Sequence, residues 1–181
     1  HGGAVIADVL VPPALRVVFT PDPAQSGGAA WAVDGGDWQV SGQTLYTLAA
    51  GTHQISYIGL SGWLNPSNET VVLSNGVFTT LTRTYTAYGH LIVNLSPPAI
   101  LVIAELWRVD NFDLSPSGFE AILPPGTHFV QYALVDGWIA PTSEVVVVTV
   151  GGQLTLSRSY SPDLDVDRDG LPDSWEWTWF G

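Results

Sequence analysis

The sequence predicts an all-β protein: two tandem β-sandwiches followed by a short acidic, cation-binding segment. Three observations carry this expectation. Apolar and polar residues alternate over short runs bounded by Gly, Pro, Asn and Asp, the pattern of half-buried strands. One stretch occurs twice: W-A-V-D-G-G-D-W from Trp31, G-T-H-Q-I-S-Y from Gly51 and G-W-L-N-P from Gly62 return as W-R-V-D-N-F-D-L from Trp107, G-T-H-F-V-Q-Y from Gly126 and G-W-I-A-P from Gly137. The offset between copies is 76 residues at first and 75 after a single deletion. With turn signals about every 8–12 residues, a unit of this length suits a complete sandwich better than one coil of a solenoid. Finally, the C-terminal stretch spells out an oxygen-ligand cation loop.

Taken in order, residues 1–13 (H-G-G-A-V-I-A-D-V-L-V-P-P) form an apolar segment outside both copies. Pro12 and Pro13 cannot donate ladder hydrogen bonds, so a strand here ends by Val11. Two placements are open: an extra edge strand on its own domain, or a strand added to the sheet of a neighbouring subunit. In the second case Val5, Ile6, Val9 and Leu10 would be interface residues.

Repeat one occupies residues 14–88. Leu15, Val17 and Phe19 alternate onto one face, and Pro21 and Pro23 close the strand. Residues 30–33 form a second strand leading into the Asp34-Gly35-Gly36 turn. Strands at 44–48 and 52–58 follow, the latter placing His53, Ile55 and Tyr57 together. Residues 69–73 and 77–86 are expected to close the repeat as a hairpin around Ser74-Asn75-Gly76. Repeat two, residues 89–160, follows the same plan. Trp31 and Trp63 recur as Trp107 and Trp138, the largest apolar side chains available to a small core. His53 recurs as His128, and two copies that differ widely elsewhere would keep a histidine chiefly for the scaffold. Glu69 with Arg83, and Glu144 with Arg158, are candidate ion pairs between neighbouring strands.

The order of strand, S/T-P, A-x-W-x-V-D-G-G-x-W, S-G, L-x-x-G-T-H-x-V-x-Y, S-G-W-x-x-P and a Val-rich closing segment resembles the PEGA-type repeats of secreted and surface-anchored bacterial proteins. The resemblance covers about 145 of the 181 residues. Copy two departs from it where D-G-G-x-W becomes Asp110-Asn111-Phe112-Asp113-Leu114. It implies small immunoglobulin-like sandwiches that act as spacers or interaction modules without catalytic residues.

The tail, residues 161–181, reads S-P-D-L-D-V-D-R-D-G-L-P-D-S-W-E-W-T-W-F-G. With Asp165 at position one, Asp167, Asp169, Asp173 and Glu176 fall at three, five, nine and twelve, Gly170 at six and Leu171 at seven. This is the D-x-D-x-D-G-x5-E pattern of a calcium loop. Short carboxylates on alternate residues converge on one cation, Gly170 permits the sharp turn, Leu171 offers its carbonyl, and Glu176 can chelate with both oxygens. Pro162 and the strand before it leave no room for an entering helix, so the loop is half an EF-hand. A short helix follows, with Pro172 at its start and Asp173 and Glu176 in its first turn, where the helix dipole favours acids. The segment looks like thrombospondin type 3 or dockerin-like calcium motifs. Trp175 and Trp179 share a helix face, with Trp177 and Phe180 elsewhere. These aromatics either dock on repeat two or make a subunit or ligand contact.

Composition bounds the rest. Seventeen acidic residues face five basic ones, for a net charge of −12. Nucleic acid and anionic membranes are therefore unfavourable partners, whereas cations, Ca2+ first, are favourable ones. The absence of cysteine excludes disulfides and thiolate metal sites. No apolar run approaches the ~20 residues of a membrane helix, and no basic region of a leader peptide stands before residues 4–11. A copper site at His1 would need a second nearby histidine from among His53, His90 and His128, and no nucleophile, zinc or phosphate-loop motif appears. The expectation is a non-enzymatic, calcium-stabilised extracellular or cell-surface structural protein, a filament subunit or stalk acting by self-association. The alternative is a carbohydrate-binding or adhesion module using Trp38, Trp175 or Trp177 as stacking platforms.

Overall fold

The computed structural model describes residues 11–103, 105–164 and 171–180. The chain divides into two compact units, His1–Ala87 and Tyr88–Gly181. In unit one, β1 (Ala14–Thr20) is followed by a short helix α1 (Asp22–Ser26) and strands β2 (Ala30–Val33), β3 (Gln39–Val40), β4 (Thr44–Leu45), β5 (Gly51–Tyr57), β6 (Trp63–Leu64), β7 (Glu69–Leu73), β8 (Phe78–Thr84) and β9 (Thr86–Ala87). In unit two, β10 (Gly89–Ser96) leads through a 3-10 turn (Pro98–Val102) to β11 (Trp107–Val109), β12 (Glu120–Leu123), β13 (Gly126–Tyr132), β14 (Trp138–Ile139), β15 (Glu144–Val148), β16 (Gln153–Ser159) and β17 (Ser161–Pro162), then to helix α2 (Asp173–Trp179).

Each unit is a sandwich. In unit one a β4-β1-β8 sheet faces a β3-β2-β5-β7 sheet; in unit two β12-β10-β16 faces β11-β13-β15. Period-two alternation explains the core. Leu15, Val17 and Phe19 of β1 meet Trp31, Val33, Ile55, Tyr57 and Leu73 from the opposite sheet. Leu91, Val93 and Leu95 play the same part against Trp107, Val109, Val130, Tyr132 and Val148. Trp31 and Trp107 are fully buried. Each indole satisfies its N–H on a backbone carbonyl nine residues on, Val40 of β3 at 3.2 Å and Pro116 at 2.8 Å.

The structure corrects the expected closing hairpin. β7 pairs antiparallel with β5, while β8 crosses to the other sheet and runs parallel to β1 from Ala14↔Phe78 to Thr20↔Thr84. β15 and β16 do the same on β13 and β10. Alternation tells which face of a strand is apolar, and both strands have one apolar face. It does not tell which of two facing sheets a strand joins. Crossing over covers the edge of β1 that a hairpin would leave unpaired. The strand expected at 44–48 is also shorter, because only Thr44 and Leu45 pair with β1. The five-residue α1 occupies a stretch read only as a proline stop.

The two sheets of unit two pinch together at Gly89. A Cβ there would lie 2.5 Å from the Thr149 carbonyl oxygen and collide with the Val148 side chain. Gly89→Ala is therefore expected to destabilise the protein by about 1–3 kcal/mol through overpacking. Gly59→Ala, where no atom lies within 4 Å, should leave the melting temperature unchanged. Thermal denaturation of the two variants checks the contrast.

Candidate functional site

Two Asp–His pairs are the arrangements most like catalytic machinery, and they occupy matching places. Asp34 follows β2 and Asp110 follows β11, and both adopt positive φ, 49° and 50°. Asp tolerates this region better than most residues because its short side chain can bond locally. Asp34 Oδ1 accepts the Gln54 amide at 2.8 Å, and Asp110 Oδ1 accepts the Phe129 amide at 2.9 Å. The second oxygen meets histidine Nδ1, at 2.6 Å for His53 and 2.7 Å for His128. On the far side of the ring, Nε2 lies 2.9 Å from the Ala49 carbonyl and 2.8 Å from the Pro124 carbonyl.

Both partners of each imidazole are acceptors, so the ring satisfies both contacts as a donor when it carries two protons, the form the raised pKa favours. For His53 the Asp34 carboxylate, then the Ala49 carbonyl, raises the pKa above 6.5. For His128 burial pulls the other way, but Asp110 and the Pro124 carbonyl outweigh it and the value is again raised. Asp34 is lowered by the Gln54 amide and by His53. Asp110 is lowered by His128 and the Phe129 amide against the effect of burial. A catalytic dyad leaves Nε2 for the reacting group. Here Nε2 is tied to backbone, so each pair is a strut joining the loop after β2 or β11, the start of β5 or β13, and the loop before it. His90 is different: its Nδ1 lies 3.0 Å from Glu120 Oε1, at an angle that makes no hydrogen bond.

The expected Glu–Arg pairs form, but between sheets rather than between neighbouring strands. Arg83 on β8 grips Glu69 on β7 with two nitrogens, Nε at 2.6 Å and Nη2, and the Tyr57 hydroxyl donates to the same carboxylate. Arg158, Glu144 and Tyr132 repeat this, with Nε and the hydroxyl each 2.7 Å from Oε1. The fork holds each crossover strand to the sheet it has left. Arg83 lowers the Glu69 pKa, and burial raises that of Tyr57. Tyr85 and Tyr160, both buried, bond across to the Ile58 and Ala133 carbonyls at 2.7 and 2.8 Å.

Of the expected calcium ligands, Asp165, Asp167 and Asp169 lie outside the described residues, as do the expected interface residues Val5, Ile6, Val9 and Leu10. Leu171 precedes α2, Asp173 opens it, and Glu176 lies in its first turns, where its amide bonds the Pro172 carbonyl at 3.2 Å. Both ends of the acidic stretch are tied together. Asp163 Oδ2 accepts the Ser174 hydroxyl at 2.6 Å and Oδ1 the Ser174 amide at 3.4 Å, while the Asp163 amide bonds the Gly137 carbonyl at 3.0 Å. Asp163, after β17, and Ser174, in α2, are thereby bonded to each other, and Asp163 also to the loop before β14. Among the described residues no group of three or more His, Cys, Asp or Glu is placed to hold a metal ion.

The tail aromatics divide into two sets. Trp175 contacts Trp179 at 6.3 Å between centroids, and Phe180 meets Trp175 edge-on at 5.6 Å. Phe180 thus joins the Trp175 face, because the chain leaves the helix at its C-cap. Trp177 points the other way, over a cleft of about 360 Å³ beside Ile139, Pro162 and Leu164. Trp177, Trp179 and Phe180 are 79, 68 and 74% exposed and Trp175 is 42% exposed, so α2 adds nothing large to the core.

No family model matches the chain, and no curated protein matches it. Solved structures with a similar course of chain include the Bacillus anthracis TIE protein, at 12% identity and a TM-score of 0.39 over 90% of this chain and 38% of that one. The minor pilin of the Gram-positive pathogen Streptococcus agalactiae matches at 10% identity and a TM-score of 0.40, over 88% of this chain and 99% of that one. A streptococcal ancillary pilin matches at 14% identity and a TM-score of 0.35, over 83% and 63%. The present chain spans well under half of the Bacillus anthracis protein.

The struts set a pH window. The raised histidine pKa values contribute stability that is complete below 6.5 and lost as pH rises through the folded-state values. The lowered aspartate values contribute stability that is present above 3.8 and lost as pH falls through theirs. Thermal stability should therefore fall above pH 6.5. His53→Gln with His128→Gln should lower the melting temperature by a few degrees at pH 6 and flatten the alkaline decline. A decline of equal depth in the double variant would assign it elsewhere.

Proposed function

We propose that this chain is a non-enzymatic structural protein of the extracellular space or cell surface, a filament subunit or stalk that self-associates and whose tail is ordered by calcium. The observation that carries the reading is the Asp163–Ser174 clasp, which ties off the acidic stretch at both ends. A cation loop needs its ends close together, and closing a loop of about ten residues costs chain entropy before any ligand bond forms. The clasp meets that cost within the protein. Asp165, Asp167, Asp169, Asp173 and Glu176 would supply carboxylates and Leu171 a carbonyl, an all-oxygen set suited to Ca2+. The ion would supply positive charge that offsets the acids of the tail.

Support for a mechanical task comes from the matched polar groups. The Asp34–His53 and Asp110–His128 pairs and the two Arg–Glu forks are all engaged in holding strands and loops. Aromatic side chains on α2 face solvent, where an association surface would place them. Among the described residues no helix is long and apolar enough to cross a membrane. The adhesion reading draws on Trp177, largely exposed beside its cleft, and on Trp38 in unit one, 51% exposed. Glycan-array binding lost on Trp177→Ala would favour it.

Calorimetric titration of the full chain with Ca2+ is expected to give one site with a dissociation constant of about 10⁻⁴–10⁻³ M. At about 1 mM calcium and the tight end of that range, the bound form gains about 1.4 kcal/mol. Glu176→Gln should weaken binding at least tenfold, and Ser174→Ala should weaken it less by loosening the clasp. Heat release unchanged in Glu176→Gln, or absent in the parent protein, would contradict the assignment.

A further inference from the structure

Unit two carries an apolar groove of about 400 Å³ for which unit one offers no scaffold reason. Val109, Phe112, Phe119, Ala121, Ile122 and Leu123 line it, with Asp113 and Glu120 also on it. It opens between β11 and β12, the edge strands of the two facing sheets. Phe112, Phe119 and Ile122 are 59, 49 and 58% exposed. The duplication serves as an internal control. Ala121 sits in register on Leu91 where Leu45 sits on Leu15, so the floor has lost three carbons. Residues 76 positions earlier than Phe112, Phe119 and Ile122 are Gly36, Gln43 and Tyr46. Unit one builds the same strands without two of the three rim groups, so the second copy gained a recess and an apolar rim together.

We propose that this groove receives residues 4–11 of a second copy, A-V-I-A-D-V-L-V, as an added strand; the inference rests on the self-association reading above. Three observations select this occupant. First, pairing on the β1 side of unit one ends, among the described residues, at Val11. Val11 still bonds Gly76 through its carbonyl at 2.7 Å. The β1–β8 ladder starts at Ala14↔Phe78, the first residue of β8, so β8 has no further residue to offer before Ala14. The β1–β4 register from Leu15↔Leu45 likewise runs out into β5. Second, eight largely β-branched or small apolar residues span ~26 Å as a strand, enough to run the length of an edge. Third, Asp113 and Glu120 make the groove acidic, and residues 4–11 carry Asp8 as their single charge, so an apolar strand enters it with little repulsion. Backbone bonds to an edge would supply affinity, and the recess over Ala121 would take one apolar side chain.

The test uses full chains in calcium buffer. Sedimentation equilibrium of the parent protein is expected to show concentration-dependent association. Ala121→Leu with Phe119→Gln restores the unit-one residues and should raise the apparent dissociation constant at least tenfold, as should Ile6→Asp in the segment. The chain has no cysteine, so a mixture of Val9→Cys chains and Ile122→Cys chains should cross-link to a heterodimer with a short bis-maleimide. Parent protein that associates while the groove variant associates equally tightly would overturn this inference and leave self-association standing. A strictly monomeric parent would remove both. Cross-linking only within single chains carrying both cysteines would overturn the exchange between copies.

Discussion

Each sandwich is pinned by one buried histidine, held between a carboxylate and a backbone carbonyl that both favour its protonated form. The sheets supply apolar burial, but the loop after β2 or β11 must bend at a residue with positive φ and stay bent. Asp34 and Asp110 take that conformation and reach back to an amide and a ring. The histidine passes the connection on to Ala49 or Pro124. Three chain segments are fixed by one side chain, at a sandwich end where backbone groups would otherwise lack partners. A carboxylate–imidazolium bond is stronger than a neutral one, and each ring is about one-tenth exposed, so solvent competes weakly.

The second constraint is the crossover between sheets. β8 and β16 leave the strands that precede them and run parallel to β1 and β10, and the Arg–Glu–Tyr forks bridge the gap this opens. Glu69 and Arg83 are neighbours because β7 and β8 face one another across the sandwich, not because they share a ladder. The same geometry recurs in unit two with different surrounding residues. Recurrence of the whole constellation, rather than of a single residue, identifies it as part of the scaffold.

Much of this was legible in the residues. Alternation at Leu15, Val17 and Phe19 and at His53, Ile55 and Tyr57 located the core faces, and Trp31 and Trp107 marked its centre, whereas Trp63 and Trp138 pack half-buried against it. The pairing of β8 with β1 was not legible, since period two reports a face and not a sheet. The Asp–His struts were half legible: His53 and His128 stood out, but Asp34 was read as a turn residue. A signal existed, because the aspartate survives in copy two while Gly35 and Gly36 become Asn111 and Phe112. The groove was missed for the opposite reason. Attention to what the copies share hides what one copy has changed, and Ala121 and Phe119 are changes. What is duplicated holds the fold together; the tail and the groove are not duplicated.

The claim that the shared histidines are structural imidazolium ions is most directly tested by nitrogen-15 NMR of the side chains of His53 and His128 in the full chain at pH 7. The account predicts that both nitrogens of both rings carry protons, with Nδ1 and Nε2 shifts of the cationic form and slow proton exchange. A neutral tautomer in either ring at that pH, or an Nε2 that exchanges freely with solvent, would contradict it.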